Sequence, residues 1–289
     1  MSAAADSPRV AGVVGAPVGH SLSPLIHRTW AERARLPFHY VPIEVDGGEP
    51  GFARAIEGLR MAGFKGVNVT LPFKEEALRL ADGASEAARA IGAANMLTFN
   101  KDDIHADNSD ALGFCEGVKS SLPDTARRAL VLGAGGSARA ILYALLSLIG
   151  IDDVVIVNRT ASRANALAAE FAGAKSAAWD SRETAAGEAD VIVNTTSIGM
   201  ARDGVAGGET PLTLEHVRPL TVVCDIVYAP LKTPLLRNAK AKGLPAVDGL
   251  EMLMRQAAPG FRAWSGGQAV VDADLRAACE AALNARRAS

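Results

Sequence analysis

Short apolar runs alternate along this chain with longer stretches of helical spacing. Residues 10–14 are apolar and end at glycine, the pattern of a short buried strand. A turn follows, residues 15–24, in which Ser23 can cap the next helix with Pro24 at its first position, where a missing N–H costs nothing. That helix is expected to reach residue 35. Strands are then expected at 40–45 and 66–71, helices at 51–62 and 74–81, and a hairpin pair at 95–99 and 104–106. The second half repeats a strand–helix unit. Strands are expected at 129–132, 153–157, 191–194, 221–226 and 245–247, with helices to residue 148, at 162–171 and at 231–242. From residue 250 the pattern is helical again, interrupted at Pro259 and at Gly266-Gly267. The fold class is therefore α/β, with an N-terminal α/β domain, a doubly wound parallel-sheet domain of Rossmann type, and C-terminal helices.

Length supports two domains: 289 residues exceed one ordinary core, and 49% hydrophobic residues can fill two. A formal net charge of −2, with both signs interspersed, gives no reason to expect nucleic acid or a membrane surface as partner. Cys115, Cys224 and Cys279 are odd in number and far apart, which disfavours a disulfide framework or a zinc ribbon and fits a reducing compartment. Residues 1–9 lack an apolar core of signal-peptide type, and the longest apolar run, 140–151, is too short to span a bilayer. These features predict a soluble, cytoplasmic protein without a metal.

Two stretches carry chemistry. In the first, Asn68-Val69-Thr70-Leu71-Pro72-Phe73-Lys74, a lysine stands just beyond a short strand, beside a threonine hydroxyl and an asparagine amide. A lysine so placed serves as a general acid where burial lowers its pKa, while a surface lysine opening a helix is the plainer alternative. In the second, Gly133-Ala134-Gly135-Gly136-Ser137-Ala138 follows a strand and opens a helix, the context in which backbone N–H groups meet a pyrophosphate. At the end of the next strand an NAD site usually has a carboxylate for the ribose. Here Asn158, Arg159 and Thr160 stand there, with Arg163 beyond, and two guanidinium groups suit a 2′-phosphate, so NADP(H) is favoured.

The strand ends of the first domain collect Ser21, Ser23, Asn68, Thr70, Lys74, Asn95 and the run 107–110. In open α/β folds such ends converge on one cleft. Hydroxyls and amides suit a polyhydroxylated substrate, serine hydroxyls can hold a carboxylate, and Lys74 with Asp110 would form an acid–base pair.

With these residues in view the sequence resembles the shikimate dehydrogenase family. The matching stretches are residues 19–24, 68–76, 92–95, 107–110, 133–138, 158–160, 248–250 and 252–257, and the resemblance spans about residues 10–280. It implies NADPH-dependent reduction of 3-dehydroshikimate to shikimate. It implies that Ser21, Ser23, Thr70, Asn95, Asp110 and Gln256 hold the substrate, that Lys74 passes the proton, and that Tyr228 lines the same cleft. It further implies that Ile226 and Gly249 lie near the nicotinamide, that Glu86 reaches the cofactor, and that the substrate domain is discontinuous (1–110 with 249–289) around a cofactor domain at 111–248. The chain departs from the family pattern at Leu22, Ala94, Ser109, Ala111 and Glu251, and none of these removes a presumed catalytic group.

Two other readings stay open: a quinate/shikimate dehydrogenase using NAD(H), and a non-catalytic NADP-binding sensor on the same fold. Oligomeric state, monomer or homodimer, is not specified. Among the remaining polar residues, His20 is read as structural, Asp107 as a turn residue and Cys115 as core. His27, His39, His105 and His216, which lack metal spacing, are read as surface or capping residues.

Overall fold

The computed structural model describes residues 8–201 and 207–288, so most of the N-terminal stretch read for a signal peptide lies outside the described residues. These residues form two compact units. One contains the chain up to Ser109 with Gln256–Cys279, the other Asp110–Arg255 with the residues from Glu280 on. Segments 249–255 and 280–289, expected with the first half, thus fall in the second unit.

The first unit is built on a six-stranded mixed sheet. Its strands are β1 (Arg9–Gly15), β2 (Phe38–Glu44), β3 (Gly66–Val69), β4 (Gly83–Ala84), β5 (Met96–Phe99) and β6 (Ile104–Asp107), in the order β2-β1-β3-β5-β6-β4. β1 runs parallel to β2 and β3, while β5 is antiparallel to β3 and β6, the expected hairpin. Helices α1 (Ser23–Ala34), α2 (Gly48–Met61), α3 (Lys74–Leu80) and α4 (Glu86–Ile91) connect the strands. Val14, Phe52, Ile56, Val67 and Leu97 pack into one core, each at or near zero exposure, and this burial drives the unit.

The second unit begins with α5 (Asp110–Val118). Its sheet is formed by β7 (Arg128–Leu132), β8 (Asp153–Val157), β9 (Ala174–Ala177), β10 (Val191–Asn194), β11 (Val222–Asp225) and β12 (Ala246–Asp248). The order β12-β11-β10-β7-β8-β9 is parallel throughout, the doubly wound arrangement with its crossover next to β7. Its connecting helices are α6 (Gly136–Tyr143), α7 (Ala161–Glu170), α8 (Arg182–Glu188) and α9 (Pro234–Ala241). The strands read as near-continuous Val/Ile/Leu runs because both faces are covered; Leu130, Ile192 and Val223 are fully buried. Helices α10 (Gly249–Ser265) and α11 (Ala273–Ala288) close the sequence.

Three local expectations differ from the structure. Ser23 is the first residue of α1 and not its cap; Leu22 holds the cap position without a side-chain bond, and the Ser23 N–H donates to Ser21 Oγ at 3.2 Å. Pro259 does not break α10. Leu250, Met254, Ala257, Phe261 and Trp264 recur every three or four residues at 0–1% exposure, and that packing outweighs the one lost backbone bond. The helix after the glycine loop leaves α geometry at Ala144 and finishes as a π-helical turn to Ile149.

Candidate active site

In the first unit, the site residues stand where strands give way to turns. Beyond β3, the Thr70 N–H donates to Val14 O at 2.9 Å and Phe73 N–H to Thr70 O at 3.1 Å, which closes a tight turn. Phe73 anchors that turn by stacking on Phe52, ring centres 4.7 Å apart. Lys74 then opens α3, half-buried, with its carbonyl accepting from Ala94 N–H at 2.8 Å. The lysine is therefore held by backbone on both sides of the sheet end. In the β1–α1 turn Ser21 is half-buried and Ser23 buried.

Asn95 is the most constrained of the group. Its Oδ1 accepts from Ser109 N–H at 2.8 Å, and its Nδ2 donates to Ser109 Oγ at 3.1 Å and to Gln256 Oε1 at 3.2 Å. Ser109 Oγ in turn donates to the Gln256 carbonyl at 2.8 Å. The structure so brings Asn95 and Gln256 together through Ser109. Gln256 is 8% exposed and faces this cluster instead of solvent. Ser109 was not singled out as a site residue from sequence; its signal was only its place beside Asp110. Asp110, 6% exposed, is the first residue of α5. Asp107 behaves as a turn residue, its Oδ1 accepting from Asn108 N–H at 2.7 Å and Ser85 Oγ at 2.5 Å. Glu86 is exposed at the start of α4, whose N-terminus Ser85 caps.

His27 contradicts its reading as a surface or capping residue. It is wholly buried, stacked on Tyr40 at 3.7 Å between centroids, with Trp30, Phe38, Phe261 and Trp264 around it. Neither ring nitrogen has a hydrogen-bond partner among the described residues, and burial lowers its pKa to about 3. The signal missed was helical spacing: Ser23, Ile26, His27 and Trp30 share the buried face of α1. His20, His39, His105 and His216 are exposed.

In the second unit, Gly133 follows β7 with a φ of +110° that few other residues adopt. A Cβ there would lie 2.5 Å from Thr195 Oγ1. Gly135 caps α6, and beside Gly135 and Gly136 a Cβ would meet nothing within 4 Å, so open space adjoins their backbone. Ala138 is fully buried, which lets α6 approach the sheet, while Ala134 and Ser137 are half-buried. These residues fit a dinucleotide pyrophosphate at a helix start. At the end of β8, Asn158 Nδ2 donates to Thr160 O at 3.0 Å, and Arg163 N–H to the same carbonyl at 3.1 Å. Arg159 and Arg163 are exposed, and neither pairs with a carboxylate among the described residues.

Ile226 and Tyr228 follow β11. Gly249 is needed opposite them, since a Cβ on it would lie 2.2 Å from Ile226 O. Burial raises the Tyr228 phenol pKa and, more strongly, that of the Cys224 thiol; Cys115, half-buried, is raised as well. Neither thiol is poised as a nucleophile. Among the described residues no group of His, Cys, Asp or Glu could hold a metal ion, and no helix is long and apolar enough to cross a membrane.

Comparison with known proteins converges on one family. Residues 13–97 match the shikimate dehydrogenase substrate binding domain, and residues 117–205 match the shikimate / quinate 5-dehydrogenase model. A shikimate dehydrogenase (NADP(+)) of Jannaschia sp. is 46% identical over 94% of this chain and 98% of its own length. One of Maricaulis maris is 44% identical over 96% and 97%. The shikimate 5-dehydrogenase of Thermus thermophilus, solved with NADP(H) and shikimate, superposes with TM-score 0.82 at 38% identity, covering 96% of this chain and 99% of that one. A quinate dehydrogenase of Corynebacterium glutamicum, solved with NAD, has TM-score 0.86 at 27% identity, covering 96% and 100%.

Proposed function

The chain belongs to the shikimate dehydrogenase family, and from that premise we propose that it catalyses the reversible NADP(H)-dependent reduction of 3-dehydroshikimate to shikimate. The observation that carries this reading is the glycine loop after β7 followed by two exposed arginines, without a carboxylate, after β8. Residues 133–138 would hold the pyrophosphate, Asn158, Arg159, Thr160 and Arg163 the adenosine phosphate end, and Ile226 and Gly249 the nicotinamide. Glu86 is a further cofactor contact in this reading. When bound, NADPH supplies the hydride for the C3 carbon.

The chain's own residues do the rest. The Lys74 ammonium gives a proton to the carbonyl oxygen as it becomes a hydroxyl, and takes it back in the reverse direction. The Asp110 carboxylate accepts a hydrogen bond from a ring hydroxyl and orients it. Ser21 and Ser23 donate to the substrate carboxylate, while Thr70, Asn95, Tyr228 and Gln256 hold the hydroxyl face. The network of Asn95 with Ser109 and Gln256 fixes two of those amides before substrate arrives, so less entropy is lost on binding. The first unit is then the substrate-binding part and the second the cofactor-binding part, in a protein of the cytoplasm.

A quinate dehydrogenase reading is kept by the neighbour solved with NAD and by the departures at Leu22, Ala94 and Ser109. Initial rates with shikimate and quinate, each with NADP⁺ and NAD⁺, separate the two. Shikimate with NADP⁺ should be the fastest pair. Equal or faster turnover of quinate with NAD⁺ would refute the assignment.

A further inference from the structure

From the hydrogen bonds that join the ends of β10 and β11, we infer that Asp225 is a positioning residue whose ionised carboxylate holds the Ile226–Tyr228 segment in its working conformation. The inference rests on the assignment of that segment to the nicotinamide end of the site.

Asn194 and Asp225 are register partners at the last positions of neighbouring parallel strands, with 0% and 1% exposure. Asp225 is an acceptor for three donors. Oδ1 accepts from Asn194 Nδ2 at 3.0 Å and from Val227 N–H at 3.0 Å, and Oδ2 accepts from Thr233 Oγ1 at 2.7 Å. Thr233 also caps α9, accepting from Leu236 N–H at 3.3 Å. Asn194 reaches the other way. Its Oδ1 accepts from Thr196 Oγ1 at 2.7 Å, and its Nδ2 also meets Ile198 O at 3.2 Å. Backbone bonds from Ile226 N–H to Asn194 O, 3.1 Å, and from Ala201 N–H to Ala229 O, 2.9 Å, tie the two loops to each other. One buried carboxylate therefore sits at the junction of the loop after β10, the loop after β11 and the start of α9.

A carboxylate suits three donors only while ionised; protonation turns one oxygen into a donor facing other donors. Burial raises the Asp225 pKa to about 6, against the pull of its Thr233, Val227 and Asn194 hydrogen bonds. The other titratable groups near it are the Cys224 thiol on its own strand, Tyr228 in the following loop and Asp248, its register partner on β12, whose Oδ1 accepts from Leu250 N–H at 3.1 Å. Asn194 on β10 and Thr233 before α9 do not titrate.

Hydrogen exchange in the ligand-free protein reads this directly. In wild type at about pH 7.5 the 226–229 amides, corrected for intrinsic rate, should be protected. In Asp225→Asn their exchange should be about tenfold or more faster, the worth of a hydrogen bond to a charged group. Thr233→Val should raise exchange and the KM for NADPH by roughly tenfold, whereas Thr233→Ser, which keeps the hydroxyl, should stay within about twofold of wild type. An Asp225→Asn or Thr233→Val protein whose exchange matches wild type would overturn the inference. The Thr233 pair keeps the test decisive should Asp225→Asn fail to fold. An inactive wild type that still shows the exchange pattern would instead refute the dehydrogenase reading and leave the positioning role standing.

Discussion

In the proposed function, Arg159 and Arg163 set cofactor choice through charge geometry. A guanidinium presents a planar fork to a phosphate, and a hydrogen bond to such a group contributes about 1.5–3 kcal/mol. Both arginines are exposed and neither is drawn away by a carboxylate among the described residues. Arg159→Ala should therefore raise the KM for NADPH by roughly 10–100-fold and leave that for NADH within about threefold. Steady-state kinetics with both cofactors checks this, and an equal loss on each would remove the phosphate role. Sequence alone pointed to these arginines as candidates because the strand end before them and the missing acid are both local features. It could not show Ser109 as the link between Asn95 and Gln256, because Gln256 lies 147 residues further along the chain.

At the level of elements, the β7–α6 junction turns on a single glycine. Gly133 has φ +110°, and a methyl group there would strike Thr195 Oγ1, itself bonded to Leu132 O at 2.7 Å. Backbone strain of this kind costs about 1–3 kcal/mol, before any effect on phosphate approach. Gly133→Ala should lower the unfolding midpoint and weaken NADPH binding together. Calorimetric titration and a thermal melt check this, and unchanged values in both would show that the loop adapts freely. The strands of this unit were legible because they are buried on both faces and read as uninterrupted apolar runs. β9 and α8 were not, since Ala174–Ala177 and Arg182–Glu188 are short and carry little apolar pattern. Pro259 misled for a related reason: local propensity signals a break, while the buried stripe along α10 overrides it.

For the molecule as a whole, two buried titratable groups act in opposite directions on stability. His27 is neutral in the fold with a pKa near 3, against an ordinary 6.5, so the unfolded chain binds the extra proton between those values. Stability from His27 is fully present above pH 6.5 and is lost as pH falls toward 3. Asp225, raised from 3.8 to about 6, favours the fold below 3.8 and loses that contribution as pH rises through 6. Between about pH 6.5 and 5 the two contributions oppose each other in wild type, so the urea midpoint of His27→Leu should rise relative to wild type as pH falls, by up to one proton's worth, about 1.4 kcal/mol per pH unit. Identical slopes would mean that the histidine finds a partner when charged. Only its helical spacing announced this burial, whereas the two-unit architecture was plain from the alternation of strands and helices.

The proposed reaction requires Lys74 to move a proton during carbonyl reduction. The most direct test is kcat for 3-dehydroshikimate reduction by Lys74→Ala at saturating NADPH and substrate. The account predicts a fall of roughly 10²–10⁴, the usual contribution of a general acid, with a much smaller change in the substrate KM. A variant that turns over near the wild-type rate would contradict it.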